Sequence, residues 1–110
     1  MATIVIVCGA GASSTFLAHR MNRAAKASGQ NLTARAATMG DYLSRLRAGD
    51  VLLVGPQLAA DFAQISAQAE GMTVRSALLP ETIFSAGSAD EALRIAADLI
   101  ATDPQGEHHG

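Results

Sequence analysis

The chain has one cysteine in 110 residues, no tryptophan, a single tyrosine (Tyr42) and three prolines. The lone thiol, Cys8, has no mate for an internal disulfide, so nothing marks an oxidising compartment. Eight Lys and Arg stand against ten Asp and Glu, a net charge of −2, and no stretch gathers the basic residues. Binding to nucleic acid or an anionic membrane therefore has no electrostatic footprint. The longest apolar runs fall far short of the roughly 20 residues of a membrane span. The N-terminus has neither the charged head nor the long apolar stretch of a secretory signal, because Cys8 and the glycines interrupt it. No His, Cys, Asp or Glu cluster has metal-ligand spacing, and no cofactor is expected. These absences lead us to expect a soluble cytoplasmic protein. The expected layout is one domain over residues 1–103 and a disordered polar tail over 104–110, whose His108 and His109 are read as solvated.

What is present is an alternation of strand and helix. "TIVIV" (3–7) is a continuous β-branched run typical of a buried parallel strand. Phe16, Leu17, Met21, Ala24 and Ala25 then recur at helical spacing from Ser13 or Ser14 to about Ser28, and Gly29 supplies a stop. A second strand is expected over 31–38. A short helix capped by Asp41 follows, running to Arg47 with Tyr42, Leu43 and Leu46 inward. "VLLV" (51–54) is a third strand, ending at "GPQ" (55–57). Helical spacing resumes over 58–69 with Phe62 and Ile65 inward, a strand is expected over 72–78, and "SADEALRIAADLIA" (88–101) is an amphipathic helix with a capping box at Ser88 and Glu91. This order predicts an α/β fold: a single-domain, open, four-stranded parallel sheet with helices on both faces, since parallel neighbours need crossovers. Ligand sites in such sheets lie beyond the carboxyl ends of the strands, which brings the loops 8–14, 55–58 and 79–87 to one edge.

The first of these loops, "CGAGASST", is where chemistry is expected. A helix starting near residue 13 leaves N–H groups unpaired and carries a partial positive charge. Gly9 and Gly11 let the backbone turn its amides inward, and Ser13, Ser14 and Thr15 add hydroxyls, so residues 9–15 (with Ala10 and Ala12) form a P-loop-like nest for a phosphate-sized dianion. Cys8 stands at its mouth. The same field predicts a depressed thiol pKa and a nucleophilic thiolate. The alternative is a small hydrophobe filling a strand end.

Sharper motifs are missing. A dinucleotide fingerprint needs a third glycine where Ser14 stands, and a Walker loop needs a lysine. A cysteine phosphatase or arsenate reductase of this architecture needs an arginine six residues after the nucleophile. That position is Ser14, and neither Asp61 nor Asp90 sits in a recognisable acid loop. A nucleophile with an anion cradle, but without clamp or water-activating base, suits reversible phosphoryl transfer between proteins. A phosphatase or reductase, and a non-catalytic regulatory domain, remain the alternatives.

"VCGAGASST" together with "VLLVGPQLAADF" resembles the IIB component of the bacterial sugar phosphotransferase system, lactose/cellobiose type, whose members read C-x-A-G-M-S-T-S after the first strand and LLGPQ after the third. The likeness runs from residue 3 to about 101. It implies that Cys8 is the phosphorylation site of a protein-phosphohistidine–sugar phosphotransferase. The thiol would take a phosphoryl group from a histidine of a IIA component and pass it to a sugar held by a membrane IIC component. It further implies that Gly55, Pro56 and Gln57 face the IIA partner. The chain departs from the family pattern at Ala12 in place of Met, at Ala60 in place of an aromatic, and over 84–89, where a phenol and an acid are lost. His19, Arg20 and Arg23 on the first helix are read as surface residues.

Overall fold

The structure is a computed structural model and describes residues 2–9, 11–84 and 88–101. The expected tail over 104–110, the boundary at 103, Ala10 and part of the 84–89 stretch lie outside these residues. Strand β1 (Ala2–Val7) is followed by helix α1 (Gly11–Ala27), β2 (Leu32–Ala37), the single turn α2 (Tyr42–Arg45) and β3 (Val51–Val54). A 3-10 segment (Pro56–Asp61), α3 (Phe62–Gly71), β4 (Arg75–Leu78), a second 3-10 turn (Glu81–Phe84) and α4 (Ser88–Ala101) complete the chain. The four strands form one sheet in the order β2-β1-β3-β4. All three pairings are parallel, with Ile4 opposite Ala34 and Val51, and Val51 opposite Arg75.

The pleat of β1 sorts the core into two layers. Ile4, Ile6 and, one step further, Cys8 pack with Leu53, with Leu17 and Met21 of α1, and with Ala92 and Leu93 of α4. Val5 and Val7 point the other way, into a layer with Leu52, Tyr42, Ile65 and Ala69. Helices therefore cover both faces, as the uninterrupted apolar strands predict. The edge strand β2 is closed by a side chain: Ala34 N–H donates to Asn22 Oδ1 (2.7 Å), and Asn22 Nδ2 donates to the Ala34 carbonyl (2.9 Å). The carboxamide stands in for a missing neighbour strand at Ala34.

Several sequence-based boundaries are corrected. Helix α1 starts at Gly11, so Gly11, Ala12 and Ser13 belong to its first turn, and the β1–α1 connection is shorter than expected. Phe16 is 57 % exposed, not inward, and the Arg20 guanidinium lies 5.4 Å from its ring centroid. Leu43 is likewise exposed. Asp41 makes no side-chain cap to α2; its carboxylate accepts from Thr38 N–H and Thr38 Oγ1 and pairs with Arg45. Pro56 starts a 3-10 segment in which Leu58 leaves helical geometry, so α3 begins only at Phe62. Met72, Thr73 and Val74 are a turn, not strand, because Thr73 takes φ +62° and its carbonyl accepts from Gly49 N–H (3.0 Å).

A β-branched residue in the left-handed region costs about 1–2 kcal/mol. Thr73→Gly should therefore raise stability by about 0.5–1 kcal/mol after the extra unfolded-chain entropy of glycine is subtracted, read as the midpoint in urea.

Candidate functional site

Strand order locates the site. The chain leaves β1 for β2 on one side and then returns to β3 on the other, so the sheet reverses its winding between β1 and β3. At such a switch point the following connections diverge and leave a crevice beyond the carboxyl ends. The residues at those two ends are Cys8 and Gly55. They are tied together: Gly55 N–H donates to the Val7 carbonyl (2.8 Å), continuing the β1–β3 ladder one step past the strands. Leu79 N–H donates to the Val54 carbonyl (2.7 Å), which extends the same ladder toward β4. The rim therefore rests on three backbone-paired strand ends.

Gly55 gives the thiol its space. Its φ of −65° and ψ of 152° suit any residue, so conformation does not require glycine here. Space does: a Cβ on Gly55 would lie 2.7 Å from Cys8 Sγ, 3.1 Å from Cys8 Cβ and 2.7 Å from Gln57 Oε1. Gly55 is itself buried, so of the three residues assigned to a partner-facing loop it lies beneath the thiol and cannot present a surface. Pro56 is half-buried and Gln57 exposed. Pro56 opens the 3-10 segment, which Leu58 N–H closes on the Gly55 carbonyl (3.0 Å).

The thiol is 2 % exposed, and burial pushes its pKa from 9.0 up to about 11. This reverses the expected depression. In the resting molecule desolvation is the cause that acts on Cys8, and the sulfur holds its proton at neutral pH. Of the residues assigned to the cradle, Gly9 is exposed and lies against Gln57, and Thr15 is exposed on α1. Ser14 is wholly buried, and no buried side-chain nitrogen or oxygen among the described residues lacks a hydrogen bond. The backbone N–H groups of Gly11, Ala12, Ser13 and Ser14 fall in the first turn of α1, where no carbonyl four residues earlier lies within the helix. His19 and Arg23 are exposed on α1. Arg20, Arg23 and Asp90 line a shallow surface pocket of about 350 Å³, away from Cys8. Asp61 is exposed at the junction of the 3-10 segment and α3.

Of two features of this site, one had a signal in the sequence and the other did not. A glycine directly after a buried apolar strand, where no turn demands it, signals close approach by another group. The closeness of the Gln57 carboxamide to the thiol had no such signal, because it depends on the 3-10 geometry after Pro56.

A parallel, doubly covered sheet with a thiol at its switch point defines a small single-domain α/β protein of the kind that works at the carboxyl edge. The chain belongs to the family described as PTS system, lactose/cellobiose specific IIB subunit, which matches residues 3–86. Membership places it among the phosphotransferase components of sugar transport. Several solved structures share the fold. The lactose-specific IIB component domain from Streptococcus pneumoniae has a TM-score of 0.69 at 17 % identity, over 89 % of this chain and 96 % of that one. The cellobiose-specific phosphotransferase IIB component from Borrelia burgdorferi has a TM-score of 0.68 at 20 % identity, over 91 % and 92 %. No curated protein sequence matches the chain. Among the described residues, no helix is long and apolar enough to cross a membrane.

Proposed function

We propose that the chain is a cytoplasmic phosphocarrier that accepts a phosphoryl group on Cys8 from a phosphohistidine of a IIA component and passes it to a sugar held by a membrane IIC component. The observation that carries this reading is the seat of Cys8: a thiol at the switch point, with Gly55 kept free of a side chain beside it. In the first step the N–P bond of the donor breaks as the S–P bond forms, and the thiol proton passes to the imidazole nitrogen left behind. A thiol held protonated at rest suits this exchange, because the proton it keeps is the one the departing imidazole takes up. In the second step the S–P bond breaks as a sugar oxygen bonds phosphorus, and the hydroxyl proton returns to sulfur. Positioning and charge stabilisation dominate such transfers.

The backbone amides of Gly9, Ala10, Gly11, Ala12, Ser13 and Ser14 are the assigned phosphoryl ligands, with hydroxyl donors assigned at Ser13, Ser14 and Thr15. Pro56 and Gln57 are assigned to the rim that a IIA partner meets. No cofactor enters either step. Phosphatase chemistry is not favoured, because the position where such an enzyme holds its arginine is the wholly buried Ser14.

Incubation with phosphoenolpyruvate, the general phosphotransferase proteins and a cognate IIA should add one phosphoryl group, read by intact mass. Cys8→Ser should take up none. Loading of that variant at the wild-type level would remove the assignment.

A further inference from the structure

Two glycines of the site touch the same side chain. A Cβ on Gly9 would lie 3.2 Å from Gln57 Cβ, and a Cβ on Gly55 would lie 2.7 Å from Gln57 Oε1. That same point on Gly55 is 2.7 Å from Cys8 Sγ, so the amide oxygen and the sulfur are separated by no more than twice that distance. The stem of Gln57 thus lies against Gly9, and its carboxamide lies beside Gly55 at the place where the sulfur also approaches. The residue as a whole is exposed, while the nearby thiol is buried. The turn does not need this pose, since Leu58 N–H and the Gly55 carbonyl already close it.

We propose that Gln57 is a positioning residue for Cys8, covering the thiol at rest and turning its amide N–H groups onto the phosphoryl oxygens once Sγ is loaded. A carboxamide has an oxygen acceptor at one corner and two N–H donors at the other, so a half-turn about its last bond changes what it offers the sulfur. The inference rests on the phosphocarrier reading and names a further residue of that site. The loading step is the one balanced above: an N–P bond breaks, an S–P bond forms, and the thiol proton leaves on the donor imidazole. Glutamate at the same place has acceptors only and brings a negative charge against a dianion.

The test compares wild type, Gln57→Ala and Gln57→Glu in two arms, with far-UV circular dichroism to establish that each folds. In the first arm Cys8 is alkylated at one pH by neutral iodoacetamide and by anionic iodoacetate. Gln57→Ala should react several-fold faster with iodoacetamide, and Gln57→Glu should lower the iodoacetate-to-iodoacetamide rate ratio about tenfold. A merely structural role would move both reagents together and leave that ratio unchanged. In the second arm the full phosphoenolpyruvate-driven chain loads each protein, and the steady-state phosphocysteine level of Gln57→Glu should fall about tenfold. Wild-type rates, ratio and loading in both variants would overturn the proposal. A wild-type chain that takes up no phosphoryl group would overturn the phosphoryl half together with the reading beneath it. The alkylation arm decides the covering half without any partner protein.

Discussion

Gly55→Ala lowers stability by about 1–3 kcal/mol and displaces the Cys8 thiol, the expected result of adding one methyl group where none fits. The contacts it would make are 2.7 Å to Cys8 Sγ and 3.1 Å to Cys8 Cβ, both on a short side chain inside the core. The Gln57 end of the clash is easily relieved, because that side chain is long and the residue exposed. The Cys8 end is not: rotating the sulfur away drives it among Ile6, Leu17 and their neighbours, and moving the backbone strains the Gly55 N–H bond to Val7. Phosphoryl loading should fall with the displacement. Urea unfolding measures the stability change, and a double-mutant cycle gives it a cause. Adding Gly55→Ala to Cys8→Ala should cost less than adding it to wild type, by about 1 kcal/mol, because the sulfur it collides with has gone. Equal costs in the two backgrounds would mean that the methyl meets something other than the thiol.

Raising the pH from 9 to 11 should remove about 3 kcal/mol of stability through Cys8 alone. The folded thiol has its pKa raised to about 11, against 9.0 for the unfolded chain. Below pH 9 both states hold the proton and the contribution is complete. Between the two values the unfolded state releases its proton while the folded state keeps it, so the unfolded chain is favoured by 1.36 kcal/mol for each pH unit. Above pH 11 both are ionised and the loss is finished. Tyr42 adds to the alkaline loss in the same direction, since burial raises its pKa also. Cys8→Ala isolates the thiol: the difference in unfolding free energy between it and wild type should shrink across this window by about 3 kcal/mol, out of the 5–15 kcal/mol typical of a whole domain. The same raised pKa makes the thiol slow toward alkylating reagents at neutral pH. Its thiolate fraction is about a hundredfold below that of an unperturbed cysteine.

The architecture was largely legible because the apolar patterns were unambiguous. The run 51–54 and the amphipathic stretch 88–101 emerge with the bounds that their apolar patterns mark. Phe16 misled because helical spacing cannot separate an apolar residue facing the core from one stacked under an arginine a turn later. The strand expected over 72–78 was shortened by Thr73, whose left-handed backbone serves a bond to Gly49 across the fold, a constraint invisible in local propensity. At the site, the position of Cys8 followed from one strand and one turn. Its ionisation did not. The depressed pKa was argued from the helix end alone, whereas the thiol continues the Ile4–Ile6 row into the core, so desolvation wins. Gly55 shows the same limit: its partner lies 47 residues away in sequence, and only strand order brings the two together.

That separation has a consequence for how the protein is made. Cys8 is enclosed by residues of α1, β3 and α4 together, and most of these follow it late in the chain. A nascent or refolding chain therefore carries an open, ordinarily acidic cysteine until α1, β3 and α4 have packed around it. Protection of the thiol reports closure of the whole layer on that face of the sheet. The thiol is also the point at which an oxidant or electrophile can damage the molecule before its fold protects it.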